Sequence, residues 1–170
     1  MVSLLQIKRY LDIDDADNYD DDILLELKEA VEDLVISIAN RGFKKENYRQ
    51  MITSADAFYL KCTPIHEVLS IKINGREITD YTHDEEAVYY DTKGQDKTLY
   101  IDYIGGYEKI PRDIQTIIIK AVVRQYRDYK DETYNVSVLK EGTVSMTYTG
   151  KDILTDSERE IIERYRFINI

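Results

Sequence analysis

The sequence predicts an α+β fold that is mainly helical: a small helical bundle with an inserted antiparallel β-hairpin sheet and a C-terminal hairpin or loop plus short helix. Two long segments, 23–38 and 111–126, repeat apolar residues at three- and four-residue steps, which is typical of amphipathic helices. Between them, short alternating runs flank Asn-Gly and Lys-Gly dipeptides, which favour hairpins. We expect one domain spanning 1–170, with helical parts at 1–57 and 110–132, a β insert at 58–104 and a C-terminal arm at 133–170.

The N-terminal part is expected to contain two helices. Ser3 and Gln6 have the spacing of a capping box, which predicts a helix over residues 4–11. An aspartate-rich run, 12–22, follows, and a second helix then extends to about Asn40. Residues 43–57 are polar and weakly patterned, so we interpret them as a loop or a short helix.

The middle of the chain predicts a small antiparallel sheet of about four strands. One strand lies near 58–62 and ends before Pro64, and the next turns at Asn74-Gly75. A second hairpin is expected around Lys93-Gly94, joining "AVYYD" to "TLYIDYI". Glycine and asparagine favour these turns because they tolerate a positive φ.

The segment after Pro111 predicts a helix with two apolar stripes. Proline is tolerated at the first helical position, where no backbone donor is lost. One stripe contains Ile114, Ile117, Ile118, Ala121, Val122 and Gln125, and the offset stripe contains Ile119, Val123 and Tyr126. We expect a small domain to be unable to cover both stripes, so the offset stripe is the candidate subunit interface. The alternative is that both stripes lie in the core of one subunit.

The C-terminal arm predicts a hairpin about Gly142, or a long loop that becomes ordered on assembly. Thr155 and Glu158 form a second capping box, which opens a short helix through Ile161, Ile162 and Tyr165. The chain ends in an apolar tail, "RFINI".

Composition narrows the classes of function. The net charge is −10, from 33 acidic and 23 basic residues, which argues against binding by phosphate neutralisation. No stretch approaches the roughly 20 apolar residues that cross a bilayer, and the N-terminus lacks the pattern of a signal peptide. A single cysteine, Cys62, excludes an internal disulfide.

The sequence shows no catalytic or metal-binding motif. An EF-hand loop starting at Asp12 would need glycine at its sixth position and glutamate at its twelfth, but Asp17 and Ile23 stand there. The aspartate run is therefore interpreted as a solvated loop that caps the second helix. His66 and His83 have no serine, cysteine or metal-ligand partner at motif spacing. We expect no enzymatic activity, cofactor or metal.

Four segments, taken in order, resemble one family. In chain order they are "LLQIKRYLDID" with "DDDILLELKEAVEDLV", then "CTPIHEVLSIKINGREITDY", then "LYIDYIGGYEKIPRDIQTIIIKAVVRQYRDY", and finally "VLKEGTVSMTY" with "LTDSEREIIERYR". Together these segments are similar to the head–tail connector proteins of long-tailed bacteriophages and prophages. These proteins are also called adaptor or head-completion proteins. The third segment, with its strand, Gly-Tyr turn, proline and long helix, is the most specific.

The resemblance implies a structural component of the virion. Such proteins form a homo-oligomeric, dodecameric ring between the portal protein and the next tail-side connector or stopper protein, and they can be monomeric in isolation. The ring extends the DNA channel and completes the head after packaging, and DNA passes through without specific binding. The implied location is the head–tail interface of the virion, and the host cytoplasm during assembly, without a membrane.

Two groups of residues are candidate contact surfaces of such a ring. Asp14, Asp15 and Asp17 are candidate channel-lining acids, because carboxylates repel the DNA backbone. The candidate portal-binding tail contains Tyr165, Phe167, Ile168 and Ile170, which can add to a partner as an extended strand.

One alternative function is an acidic protein-binding module, either a nucleic-acid mimic or a regulator of a bacterial or prophage system, although the clustering of the aspartates argues against a mimic. Another is a metal-dependent hydrolase that uses the aspartate run.

Overall fold

The computed structural model describes residues 1–54, 57–131, 138–141, 144–147 and 152–168. In this part of the chain there are four α-helices and nine β-strands. The chain divides into two compact units, of which the first contains Met1–Ile38 and Arg112–Tyr165, and the second Ala39–Pro111 and Arg166–Ile170.

The first unit is helical apart from one hairpin. It contains α1 (Leu4–Tyr10), α2 (Asp21–Ala39) up to Ile38, α3 (Arg112–Lys130) and α4 (Asp156–Glu163), and α3 packs against α1 and α4. Both predicted capping boxes are confirmed, at Ser3 with Gln6 and at Thr155 with Glu158. Each satisfies two backbone donors that the first helical turn leaves unpaired.

The second unit is built from two antiparallel sheets. Its larger sheet has four strands in the order β1 (Glu46–Ser54), β7 (Lys97–Gly105), β3 (Ile65–Ile73) and β4 (Arg76–Glu77). Its smaller sheet has the order β2 (Ala57–Tyr59), β6 (Ala87–Tyr89) and β5 (Thr82–His83). Both flanking strands pair with β7 in antiparallel register, so that Gln50 and Ile71 lie on either side of Ile101.

The core of the second unit is centred on one face of β7. Leu99, Ile101 and Tyr103 alternate along the strand and are fully buried. They pack with apolar side chains of the neighbouring strands and of the smaller sheet, among them Phe58, Leu60, Ile71 and Val88. The Tyr103 hydroxyl accepts a hydrogen bond from the Cys62 backbone N–H at 3.1 Å, so its polar tip is satisfied inside this core.

The prediction of a mainly helical bundle with a hairpin insert is wrong. Strands take up nearly as much of the described chain as helices do, and the sheets have a hydrophobic core of their own. The error begins at residues 43–57, for which the sequence predicts a loop or a short helix within the helical part. They contain β1, a nine-residue strand, so the sheet region starts well before residue 58.

The two predicted hairpins had different outcomes. The Asn74-Gly75 turn is confirmed, with φ of 50° and 78° and pairing of β3 with β4. Lys93 and Gly94 also have positive φ, 57° and 70°, but β6 and β7 do not form a hairpin. Instead β6 pairs with β2 and β5, and β7 pairs with β1 and β3. The Lys93-Gly94 turn therefore follows from the local sequence. The pairing of β6 and β7 does not, because each strand is buried in a different sheet.

The predicted late hairpin is present as β8 (Val138–Glu141) paired with β9 (Val144–Thr147). Gly142 lies outside the described residues. Among the helices of the described chain, none combines the length and the hydropathy needed to span a membrane.

Gly105, at the end of β7, generates the first prediction. A Cβ atom there would overlap the carbonyl oxygen of Cys62 and lie 2.7 Å from Cε2 of Tyr103, and both neighbours are fixed in the core. We expect Gly105→Ala to lower the free energy of unfolding by about 3 kcal/mol, at the upper end for overpacking. Urea denaturation followed by circular dichroism measures this.

Gly94→Ala is the matched control. Gly94 has a φ of 70°, but no heavy atom of the described residues lies within 4 Å of the place that a Cβ would take there. Only the backbone cost of about 1 kcal/mol is therefore expected. An equal loss in the two variants would contradict the close approach of Gly105 to Cys62.

Candidate assembly surfaces

The offset stripe of α3 is buried within a single chain. Ile119, Val123 and Tyr126 are only 5%, 8% and 7% exposed, and the other stripe is buried as well. The premise that one copy cannot cover both stripes is therefore wrong, and the alternative with both stripes inside one subunit describes the structure. The apolar character of these three residues is therefore no longer a reason to place them at a subunit interface.

Tyr126 has a different role, which is to hold the end of the aspartate run. Its hydroxyl donates a hydrogen bond to Oδ2 of Asp20 at 2.6 Å, and Nζ of Lys130 lies 2.8 Å from the same oxygen. The hydrogen bonds from Lys130 and then Tyr126 lower the pKa of Asp20, although burial opposes this. The C-terminal part of α3 is thus joined to the loop before α2.

The aspartate run is also held by a buried lysine. Lys8, on α1, is 2% exposed, and its Nζ donates to the backbone carbonyl of Asp17 at 2.7 Å. The same ammonium lies 2.6 Å from the Asp21 carboxylate, which neutralises a charge that would otherwise be costly to bury. Sequence reasoning missed Lys8, because nothing in its spacing distinguishes it from an exposed helical lysine.

The three candidate channel acids are all exposed. Asp14 and Asp17 use one carboxylate oxygen each to accept from a backbone N–H two residues later, at 2.9 and 3.0 Å. Asp15 lies 3.5 Å from the guanidinium of Arg9, and both are well exposed, so this pair adds little stability. The loop therefore presents carboxylates on a backbone that Lys8 and Tyr126 hold in place.

Within the described residues, no group of three or more His, Cys, Asp or Glu side chains could hold a metal ion. His66 Nε2 lies 2.8 Å from the Gly106 carbonyl oxygen, and His83 Nδ1 lies 3.1 Å from that of Asp84. Cys62 is buried, and its sulfur accepts from the Gly42 backbone N–H at 3.2 Å. Each of these side chains thus has a structural contact to the backbone.

The candidate tail is anchored along most of its described length. Tyr165 donates through its hydroxyl to Oδ2 of Asp113 at 2.8 Å. The backbone N–H of Phe167 donates to the Ala39 carbonyl at 2.9 Å, and Nδ2 of Asn40 donates to the Phe167 carbonyl at 3.3 Å. Ile168 is 69% exposed, and Ile170 lies outside the described residues. Ile168 therefore offers the open apolar surface of this tail.

A groove along β1 is a surface that sequence reasoning did not find. It has a volume of about 570 Å³ and is lined by residues 48–53 together with Asn40, Lys61, Cys62 and Tyr103. The Gln50 amide links the strand to the opposite side, since its Nε2 donates to the Tyr59 carbonyl at 3.2 Å and its Oε1 accepts from the Lys61 N–H at 2.8 Å. Burial raises the pKa of Tyr48, so this phenol stays protonated and donates to the Lys44 carbonyl at 2.7 Å.

The fold of this chain has counterparts among solved structures. No protein-family model matches the chain, and no curated protein matches it. A chain in the neck of an empty gene transfer agent (GTA) particle, computed with C6 symmetry, matches with a TM-score of 0.61 and 15% identity, over 98% of this chain and 89% of that chain. The chain therefore shares its fold with a protein of a particle neck.

Two further structures show the same fold. One is the neck of the native GTA particle computed with C12 symmetry, with a TM-score of 0.57 and 14% identity. The other is the virion of the native gene transfer agent particle, with a TM-score of 0.62 and 13% identity. Each match again covers 98% of this chain and 89% of the other.

The contact of Tyr126 with Asp20 generates the second prediction. Tyr126→Phe keeps the ring and removes only the donor, so we expect a loss of about 1 kcal/mol at pH 7 and a higher pKa of Asp20. The folded-state pKa of Asp20 is lowered, so its contribution is present above the unfolded pKa and is lost as the pH falls through the folded pKa. The difference from the wild type should therefore shrink between about pH 5 and pH 2.

Urea unfolding at both ends of this pH range measures the effect, and NMR titration follows the Asp20 carboxyl. Tyr129→Phe is the matched control, because Tyr129 lies on the same helix and is 43% exposed. Equal losses for the two variants, or a Tyr126→Phe loss that stays constant with pH, would contradict the assigned hydrogen bond.

Proposed function

We propose that this chain is a structural, non-enzymatic subunit of a ring in the neck of a phage or phage-like particle, between the portal protein and the tail. The observation that carries the proposal is the shared fold with neck chains of the GTA particle over 98% of the sequence. The particle necks were computed with C6 and C12 symmetry, which is consistent with rotational assembly of this fold. The resemblance of four ordered sequence segments to head–tail connectors supports the same function independently.

In this function the ring is a dodecamer that extends the DNA channel and completes the head after packaging. Its partners are the portal protein on one side and the next tail-side connector or stopper protein on the other. The subunit is made in the host cytoplasm and becomes part of the virion. A closed ring requires two different contact surfaces on each copy, since each contact is heterologous.

The exposed aspartates suit the wall of a DNA channel. Asp14, Asp15 and Asp17 present carboxylates on a loop that is fixed by Lys8, so repulsion of the DNA backbone does not depend on loop ordering. DNA then slides past without specific binding. An assembled ring in which these three carboxylates face outward would contradict this assignment.

The third prediction concerns assembly on the portal. Purified chain mixed with the portal protein encoded by the same genome should co-elute with it in size-exclusion chromatography. Cryo-electron microscopy should show a ring of this chain on the tail-facing side of the portal, with the rotational order of the portal. A portal from an unrelated phage is the control and should not bind.

Rings absent from both the portal complex and the purified particles would overturn the proposed function. A chain that instead binds a basic DNA-binding protein in competition with DNA would favour the acidic binding module. A monomer in the absence of portal is compatible with the proposal, because the ring contacts are made on the portal.

The fourth prediction concerns the tail as the portal contact. Phe167 is held by Ala39 and Asn40, while Ile168 is 69% exposed and available to a partner. Ile168→Ser should weaken portal binding about tenfold, the equivalent of roughly 1.4 kcal/mol from lost apolar burial. Surface plasmon resonance on immobilised portal measures the dissociation constant.

Ile36→Ser is the matched control, since Ile36 is also partly exposed, on α2, and undergoes the same substitution. Its binding should be unchanged. Equal effects of the two substitutions, or none from Ile168→Ser, would remove the tail from the portal interface.

A further inference from the structure

Among the described strands, β7 is the only one that pairs with β1, which leaves the other edge of β1 without a strand partner over residues 46–53. In the four-stranded sheet β1 is the terminal strand, and its pairing with β7 continues without a register shift from Glu46 opposite Gly105 to Ser54 opposite Lys97. Alternate residues of such a strand point their N–H and C=O groups away from the sheet. Alternate residues within 46–53 therefore form a template to which another strand can add.

The opposite edge of the same sheet is protected. There β4 has only two residues, and β3 contains register shifts between Ile65 and Glu67 and between Val68 and Ser70. Short edge strands and bulges are the devices by which proteins prevent further strands from adding. Because β1 is long and its pairing has no register shift, it lacks both of these protections against a further strand.

The groove beside β1 has the form of a site for an extended chain. Six consecutive residues of the strand, 48–53, line it. Because these residues are consecutive, the groove follows the length of the strand, and Tyr103 of the neighbouring β7 lines it as well. Asn40, Lys61 and Cys62 lie along the groove, whose volume of about 570 Å³ is large enough for several residues of a peptide.

Among the described strands, β8 and β9 form a sheet of two strands. Its strands pair from Val138 opposite Thr147 to Glu141 opposite Val144, and among the described strands they pair only with each other. An isolated two-stranded hairpin is marginally stable in water, and a further strand is one of the partners that stabilise it. The sequence of β9, "VSMT", carries no charge that would disfavour a place in a sheet.

We propose that the β8–β9 hairpin of one copy adds to the outer edge of β1 in the neighbouring copy of the ring. This inference rests on the proposed function, because only a ring brings a second copy to every edge. Each copy then gives one hairpin and accepts one, which is the heterologous contact that a closed ring requires. The larger sheet grows from four strands to six, and main-chain hydrogen bonds supply the affinity.

Cross-linking in the assembled ring tests the pairing. Met51, on β1, is 62% exposed and is changed to cysteine, and residues Val144, Ser145, Met146 and Thr147 are changed to cysteine one at a time in the same chain. The double variants are assembled on the portal and oxidised. Strand pairing predicts linked chains, seen as a ladder of bands, whose yield alternates from one β9 position to the next. Because side chains alternate between the two faces of a strand, the positions on one face should give at least tenfold more product than those on the other.

Two controls accompany the experiment. Each variant with one introduced cysteine still contains the native Cys62, which is buried, and reports any reaction of that residue. Tyr19→Cys replaces Met51→Cys as an exposed cysteine of the first unit, and it should give no alternating ladder. As a second measurement without substitutions, the backbone amides of 46–54 should gain at least tenfold protection from hydrogen exchange when the chain joins the ring.

The outcomes separate the two proposals. Rings that form without a ladder and without protection of 46–54 would overturn the hairpin contact and leave the proposed function standing. A ladder with no alternation, or an equal ladder from Tyr19→Cys, would also overturn the pairing. Absence of rings on the portal would overturn the proposed function, and the hairpin contact with it.

Discussion

Strand β7 is the constraint on which the second unit depends. It has a nine-residue strand on each side, and its inward face carries the fully buried Leu99, Ile101 and Tyr103. Both edges of β7 are therefore used by β1 and β3, and the flanking strands must turn their Tyr48, Ile52 and Ile71 side chains towards the same core. A one-residue slip of either partner would expose that set of side chains to water, so the register is strongly specified. Among the described strands, β1 is the terminal strand of this sheet.

The first unit holds its aspartate run through polar contacts from two helices. Lys8 binds the run from α1 through the Asp17 carbonyl and the Asp21 carboxylate, and Tyr126 with Lys130 binds Asp20 from α3. Charge-assisted hydrogen bonds of this kind are directional, so they hold a loop whose surface carboxylates would otherwise repel one another. In the proposed ring, the exposed acids would need no further ordering of this loop on assembly.

Local signals in the sequence predicted local structure well and long-range pairing poorly. Both capping boxes and the Asn74-Gly75 turn depend on residues within four positions of each other, and all three are present. The Lys93-Gly94 turn has the expected backbone, but its flanking strands belong to different sheets. Strand β1 was missed because its inward face includes Gln50 and its outward face includes Met51, so apolar and polar residues do not alternate. The place of an edge strand is decided by β7, about 50 residues later.

The candidate sites show the same limit. The offset stripe of α3 was correctly recognised as apolar, but α3 packs against α1 and α4, which come from distant parts of the sequence, and the stripe is buried. With Ile119 and Val123 buried, unsatisfied apolar surface on α3 no longer explains why copies should associate. Among the described strands, main-chain donors and acceptors at the outer edge of residues 46–53 have no strand partner. In the proposed ring, a contact made by such groups needs little apolar surface in the free subunit, so it is compatible with a copy that is a monomer alone and pairs on assembly.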